Sequence, residues 1–573
     1  MKSVHFEANV NSGRPFFYED LDELSRECSY FYRNSVKDGM KDTSVFEKRS
    51  QLSSLIHHFH QECGTLTPQI NEAISRFEDK SCLVLMTAHQ PNLFAYSGVF
   101  RKATLNHVLA EKLSKLLNVP VVCLFGIADH DFSDDRWVKS ALLPDVERRG
   151  GLLELRINLP DKMVLNRIEK PPRHVLSGWK SKIRDWIERK LASIEEFCKS
   201  IGVEFDRSNV GSSLNFGGFW RIVENAYSKA ETYSDFNAFV MSKIVNLSWG
   251  YDTLFFRLSE SPRIFKNDFE SLLSNFQEYS RCVKDATSLE GMQKGGVYPS
   301  EFVTVPFWYS CDCGSKARLR AENHGEFFVG VGECVRCGQK FQVTLSSRGK
   351  ADISKALSKI SYRSLSMPLI FLDGLKVCCY VGGIGGFAYL CQAKYVAEHL
   401  GNAFPPTVIW RPKDRYLGVG QLEALITYRR ISGTFDLSQL EETRLSLEKK
   451  LSNVQRRVDE LEIQRQELSD QTKITADLVE SLKEISAKKY EIRRAVDFPS
   501  LARKVKLLQS IVEISCLHNS IIDYAVNVGL EETSKQWIAF LKNDGDLSSD
   551  VTLTTELDNV MATILGELGD KSG

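Results

Sequence analysis

Three features of the sequence predict an α/β fold class. Apolar runs alternate with amphipathic stretches, four cysteines stand in two tight pairs, and one long stretch spaces its leucines at three and four without a proline. Together they describe a doubly wound parallel sheet, a β-rich zinc-ribbon insertion and a C-terminal α-helical coiled coil.

With 573 residues the chain exceeds one simple core and has room for two or three domains. Lys plus Arg equal Asp plus Glu at 74 each, so no net field draws in nucleic acid or an anionic membrane. The N-terminal MKSVHFEANVNSGRPFFYEDL has no apolar core of a signal peptide, and no run of ~18 apolar residues would span a bilayer. The expectation is a soluble, cytoplasmic protein with neither nucleic acid nor membrane as partner. Fourteen cysteines fit that reading, because Cys82, Cys123, Cys378, Cys379 and Cys391 lie in apolar runs that suit buried thiols.

Residues 1–80 read as a helical layer of the core, with apolar spacing through Leu21, Leu24, Tyr30 and Phe31, then Leu52, Leu55, Ile56 and Phe59. His57, His58 and His60 spread over different faces of such a helix, which predicts a polar surface in preference to a metal site. Residues 81–435 then carry the sheet. CLVLMTA, SGVFRKATLNHVLAEKLSKLLN and VPVVCLFGIA read as strand, helix, strand, the pattern of a parallel sheet covered on both faces. GYDTLFFRL reads as a further buried strand.

In such sheets ligands bind beyond the carboxyl ends of the strands. The first two strands end in TAHQPN and ADHDF, so both clusters are expected to line one crevice, with the helix that begins near Ser97 aiming its N-terminus at it. The alternative is that Asp131 and Ser133 cap the next segment and His89 bonds locally. Glycine pairs at 382/383 and 385/386 stand between a strand and an amphipathic helix and allow positive φ or close approach to a ligand; tight packing explains them equally well.

CDCGSKARLRAENHGEFFVGVGECVRCGQKF holds Cys311, Cys313, Cys334 and Cys337, two turn-borne pairs each followed by glycine. This is the pattern of a zinc ribbon within residues 295–345, and four thiolates leave no open coordination position, so the zinc is expected to be structural. Lys316, Arg318 and Arg320 are too thin a footprint for nucleic acid. In residues 436–530, Leu440, Leu447, Leu451, Val454, Val458, Leu461 and Leu468 form a seam interrupted by Arg465. The seam predicts a homodimer through a coiled coil, with a second arm over 474–493 able to fold back and 500–528 able to dock on the core. Residues 531–573 read as a helical tail.

Taken in order, TAHQPNLF with a helix carrying Lys102, VPVVCLFGIADHDF, GYDTLFF, CCYVGGIGGFAYLCQAKYVAEHLG and PPTVIWRP resemble the bacillithiol-synthesis cysteine-adding enzymes, the BshC family, over most of residues 15–530. The resemblance implies a Rossmann-like core and a ligase that joins the carboxyl group of cysteine, or another amino acid, to a small amine such as glucosaminyl malate through an activated carboxylate. ATP is the candidate activator. Thr87, Gln90, Leu93 and Phe94 fit the first motif; Asp129, His130, Asp131 and Phe132 the second; Tyr380, Gly382, Gly383, Tyr389 and Gln392 the third; Arg411 the fourth.

The chain also departs from the pattern. Ala88 and His89 stand where the family's first motif reads TGQQ, Ala128 where an acidic residue precedes DHDF, Gly386 where a glutamate is usual and Met367 where an arginine precedes the proline. Lys102 aligns after a one-residue gap. These changes alter the charge of the crevice, as expected of a divergent branch.

His89 and His130 are the candidates for proton transfer, with Asp131 orienting His130 or holding an amine. Thr87, Gln90, Asn92, Lys102, Asp129, Gly382, Gly383, Tyr389, Gln392 and Arg411 are the candidate substrate contacts. His130 is expected to point away from its two acidic neighbours, as alternation at a strand end requires. Two other readings remain open, a nucleotidyl transferase on the same sheet and a non-catalytic protein that works through its ribbon and coiled coil.

Overall fold

The computed structural model describes residues 16–214, 216–289, 292, 297–298, 300, 303–324, 327–347, 350–410, 413–470, 476–543 and 545–570. Arg411 lies outside these residues, as do parts of the expected N-terminal layer, ribbon and tail.

The entry layer is three helices, α1 (Leu21–Phe31), α2 (Thr43–Cys63) and α3 (Pro68–Phe77). Each is started by a side chain that accepts from a first-turn amide: Asp20 from Glu23, Asp42 from Ser44 and Thr67 from Ile70. Of the three helix histidines, His60 departs from the surface expectation. It is fully buried, its Nδ1 pairs with Thr65 Oγ1 at 2.7 Å, and its Nε2 accepts the Phe255 amide at 2.9 Å. Burial, and to a lesser degree His57, pushes its pKa down to about 3, so the ring is neutral and serves as a structural acceptor.

The central unit follows as β1 (Leu83–His89), α4 (Ser97–Leu117) and β2 (Val121–Ile127). A short helix α5 (Arg136–Lys139) leads into a hairpin of β3 (Ser140–Pro144) and β4 (Leu152–Arg156). Four helices come next: α6 (Arg173–Ile201), α7 (Arg207–Ser213), α8 (Phe216–Lys229) and α9 (Tyr233–Ser242). Strand β5 (Leu254–Arg257) returns to the sheet, followed by α10 (Lys266–Ser274) and α11 (Phe276–Thr287).

The insertion is antiparallel, with β6 (Phe307–Ser310), β7 (Lys316–His324), β8 (Phe327–Cys334) and β9 (Lys340–Thr344). After the two-residue strands β10 (Ser346–Ser347) and β11 (Lys350–Ala351) comes β12 (Ile360–Tyr362), which pairs with β6 and carries this sheet past the expected end at residue 345. Its order is β12-β6-β7-β8-β9. The chain then adds α12 (Ser366–Gly374), β13 (Val377–Val381), α13 (Phe387–His399) and β14 (Thr407–Val408).

The main sheet has the order β14-β13-β1-β2-β5 with every pair parallel. Alternation along the strands supplies two cores. Leu83, Leu85, Cys123, Phe125 and Phe255 face α1 and α4, whereas Val84, Met86, Val122, Leu124 and Phe256 face the side of α3, α12 and α13. The doubly wound expectation is therefore met. The chain leaves β1 toward β2 and β5 and comes back to β13 on the other side of β1, so the winding reverses between β1 and β13.

The C-terminal part is helical: α14 (Val419–Ser432), α15 (Leu440–Ser469), α16 (Ala476–Ala495), α17 (Phe498–Ser515), α18 (Ile521–Asn527), α19 (Leu530–Asn543) and α20 (Glu556–Asp570). Helix α16 folds back along α15, with Lys489 on Glu462, and α17 lies against α15 as well. The seam residues Leu440, Val454 and Val458 are buried within this one chain. Arg465, expected in the seam, is exposed and pairs with Glu462 at 3.1 Å.

Candidate functional site

The loop after β1 is shaped by one aromatic residue. Phe94 takes φ +41°, a left-handed conformation that a bulky side chain adopts only when its surroundings impose it. Trp179, Phe219, Trp220 and Phe236 surround its ring at 5.6–6.3 Å between centroids. The helices α6, α8 and α9 thus hold the TAHQPNLF loop from beneath, a function that their own sequence did not announce.

From β1 itself, Thr87 is buried and its Oγ1 donates to the Val381 carbonyl at 2.7 Å, so this expected substrate contact is spent tying β1 to β13. Asn92 is also buried. His89 Nδ1 donates to the Gln90 carbonyl at 3.0 Å, which leaves Nε2 as the acceptor, 3.5 Å from the Tyr96 hydroxyl. Burial, with the nearby Lys102 charge, pushes the imidazole down to about 3. It is therefore neutral near pH 7 and a weaker base than an ordinary histidine, the opposite of what its residue type alone suggests.

Lys102 takes over the titrating role. One turn into α4, its buried Nζ donates to the Ala88 carbonyl at 3.2 Å, and burial brings its pKa down to about 7. A Cβ on Gly383 would sit 3.2 Å from that nitrogen. The glycine pair therefore serves close approach, and Gly383 itself has φ −122°. The amine stands where the winding reverses. A narrow cavity of 80 Å³ opens there, lined among others by Gly98, Arg101, Gly382, Trp410 and His518. Arg101 lies 3.9 Å over the Trp410 ring and 3.5 Å from Asp414. No side chain caps the start of α4, but the Asn519 carbonyl already accepts the Ser97 amide. Arg101, Trp410, Asp414 and His518 were not anticipated from the sequence, since they come from three segments far apart in the chain.

The second motif turns elsewhere. Residues 129–131 leave β2 as a turn, so strand alternation no longer governs His130. Its ring lies between its neighbours, Nδ1 3.9 Å from Asp129 and Nε2 3.9 Å from Asp131, and near Tyr362 of the insertion sheet. That corrects the expectation that it points away from both. Asp129 is fully buried and accepts from the Ser259 amide and hydroxyl and from Asn166 Nδ2. Burial opposes its charge, yet His130 and Ser259 hold it below the usual carboxylate range. It is a brace for the loop, whereas Asp131 is about one third exposed.

Beyond this turn lies a larger cavity of 680 Å³ between α11, α13 and the insertion sheet. Tyr389 and Gln392 line it, as the third motif requires, but Gln392 Nε2 is already given to Thr287 Oγ1 at 2.8 Å. The cavity's strongest polar feature is Arg363. Its guanidinium stacks 4.4 Å from the centre of the Trp308 ring, its Nη1 is buried without an acceptor, and burial lowers its pKa to about 10. The two strand-end motifs thus meet different neighbours. Lys102 lines the narrow cationic recess and His89 reaches its edge through Tyr96, while His130 and Asp131 lie toward the insertion.

The four cysteines do converge. Cys311 and Cys337 Sγ are 3.6 Å apart, as are Cys313 and Cys334, and all four lie within 4.8 Å of one another. Tetrahedral zinc with bonds of about 2.3 Å needs S···S edges of about 3.8 Å, so the donor set fits the metal. Gly314 takes φ +82° and Gly338 φ +72°, the left-handed turns that close the two knuckles.

Fold and site together define the class, a Rossmann-like α/β protein with a cation-lined recess where its winding reverses and, in an inserted sheet, four converged cysteines that could hold a metal. Within that class one segment is similar to a known family. Residues 14–141 match the family described as bacillithiol biosynthesis BshC, N-terminal Rossmann-like domain. The matched segment carries β1, α4 and β2, and with them His89, Lys102 and Asp129–Asp131. No curated protein matches the chain.

Proposed function

We propose that the protein is a BshC-like ligase that forms an amide between the carboxyl group of cysteine, or another amino acid, and a small amine of the glucosaminyl malate kind. The observation that carries this reading is the coincidence of the BshC-matched segment with a buried, near-neutral lysine at the winding reversal. Amide formation requires an activated carboxylate, an anion site for the departing phosphate group and a base for the incoming ammonium. Lys102 and Arg101, with the start of α4, suit the anion. The large recess suits the acceptor, whose carboxylates would give Arg363 the partner it lacks.

ATP is the proposed activator. Transfer of its phosphoryl or adenylyl group to the carboxylate makes the leaving group; attack by the amine then forms the C–N bond and releases phosphate or AMP. The cysteine cluster is proposed to hold one structural zinc. Buried thiols such as Cys28, Cys123 and Cys379 support a reducing, cytoplasmic setting. No helix among the described residues is long and apolar enough to cross a membrane. Pairing of two chains through the helical arm is likewise proposed.

The test is direct: purified protein with cysteine, glucosaminyl malate and ATP, followed by mass spectrometry for the amide. Product that depends on all three supports the ligase. An adenylylated product that accumulates with no amide formed, even with cysteine and the amine present, would point to nucleotidyl transfer, and finding neither product would remove the enzymatic reading.

A further inference from the structure

The cysteine cluster does not stand apart from the candidate site. The Gly314 carbonyl, inside the first knuckle, accepts the Val164 amide at 2.9 Å. From that same segment Leu165 N donates to the Asp131 carbonyl at 3.0 Å and Asn166 N to the Asp129 carbonyl at 2.9 Å, while the Ser133 amide donates to Met163 O at 2.9 Å. The segment 163–166 is therefore held between the knuckle on one side and the DHDF turn on the other. The second knuckle adds its own tie, Lys162 Nζ on the Val335 carbonyl at 3.2 Å, and Arg336 Nη1 joins the knuckles through the Cys313 carbonyl at 2.7 Å.

One side chain crosses directly. Lys316, the first residue of β7, is 2% exposed, and its Nζ donates to the His130 carbonyl at 2.6 Å. The ammonium lies 4.4 Å from the centre of the Phe132 ring and 5.2 Å from that of Trp308. Its backbone is fixed by the metal-binding turns, because the Val335 amide donates to the Lys316 carbonyl and the Cys311 amide to the Ser315 carbonyl. Two residues along the same strand, Arg318 lines the large recess. Burying a lysine costs free energy unless it finds a partner, and the His130 carbonyl is the partner here.

We propose that Lys316 is a positioning residue for the candidate site, and that metal in the four-cysteine cluster is what fixes it. The cluster sets the two knuckles, the knuckles set the start of β7 and the 163–166 segment, and these hold the His130–Asp131 turn in place. Loss of the metal frees the turn while leaving the main sheet intact. The proposal rests on the reading of His130 and Asp131 as site residues, but its test uses no substrate, so failure of the ligase assay and failure of this coupling are separate results.

The test is hydrogen exchange with mass spectrometry on the full chain, as purified, after chelation, and after zinc is restored, alongside Lys316→Met and Lys316→Arg. The expected result is about one zinc per chain and, on its removal, at least ~10-fold faster exchange across residues 129–133 and 163–166, with β1, β2 and β13 unchanged and protection regained on adding zinc. Lys316→Met should keep its zinc yet expose 129–133, and Lys316→Arg, which retains the cation and a donor, should restore protection. Unchanged exchange at 129–133 in the zinc-free protein, or in Lys316→Met, overturns the proposal. So does less than about half an equivalent of zinc in protein purified without chelators.

Discussion

Single residues in this protein depart from what their type suggests because burial decides their charge. Lys102, brought down to about 7 by its surroundings, is part neutral at physiological pH and must take up a proton to hold an anion. A bound phosphate or carboxylate raises its pKa, so affinity is full below about pH 7 and falls above it, by as much as ~10-fold per pH unit until the liganded pKa is reached. Calorimetric titration with ATP between pH 6 and 9 reads this directly, and Lys102→Met should bind weakly with a flat profile. His89 yields the contrasting expectation. Held near 3, it acts by hydrogen bonding, so His89→Gln should stay within about tenfold of the unmutated activity. His130→Ala and Asp131→Asn, if His130 moves the proton, should lose ~100-fold or more. Rates for the three variants with matched folding, checked by circular dichroism, separate these roles.

At the scale of elements, the leucine seam of α15 shows how one pattern admits two outcomes. Spacing of three and four specifies an apolar stripe and says nothing about which helix covers it. Here α16 and α17 of the same chain lie along it, and Val458 is 3% exposed. Val458→Asp is therefore expected to open the arm itself, lowering its helix content and freeing α17, whatever the oligomeric state. The proposed homodimer needs other residues, and the arm leaves Leu445, Ile463 and Tyr490 more than half exposed. Replacing these three with Glu should give monomers with an intact arm in light scattering. A monomer from the unmutated protein would remove the dimer altogether.

For the molecule as a whole, two neutral histidines, the buried His60 and the half-buried His89, make stability depend on pH. His60 and His89 titrate near 3 when folded against 6.5 in an unstructured chain. Between those values the unfolded state binds more protons, so stability is complete above about pH 6.5 and declines as the pH falls toward 3, by up to ~1.4 kcal/mol per pH unit for each ring. Urea unfolding at pH 7.0, 5.5 and 4.5 should show this decline, and His60→Gln should make it shallower. An unchanged slope would mean that His60 is already protonated in the fold.

Much of this architecture was legible in the chain itself. Alternation and apolar runs mark β1, α4, β2 and β5 because a buried parallel strand must be apolar on both faces. The paired cysteines followed by glycine mark the cysteine cluster because two tight turns can bring four thiols to one point. Other features had to await the tertiary structure, since they depend on distant segments meeting. Nothing near His89 in sequence reveals the partial burial and the Lys102 charge that keep it neutral. Nothing in TAHQPN or ADHDF shows that one motif faces α4 and the other the inserted sheet. The polar clusters were visible because composition is local; the neighbours each one meets were not, because direction and desolvation are set by packing across several hundred residues.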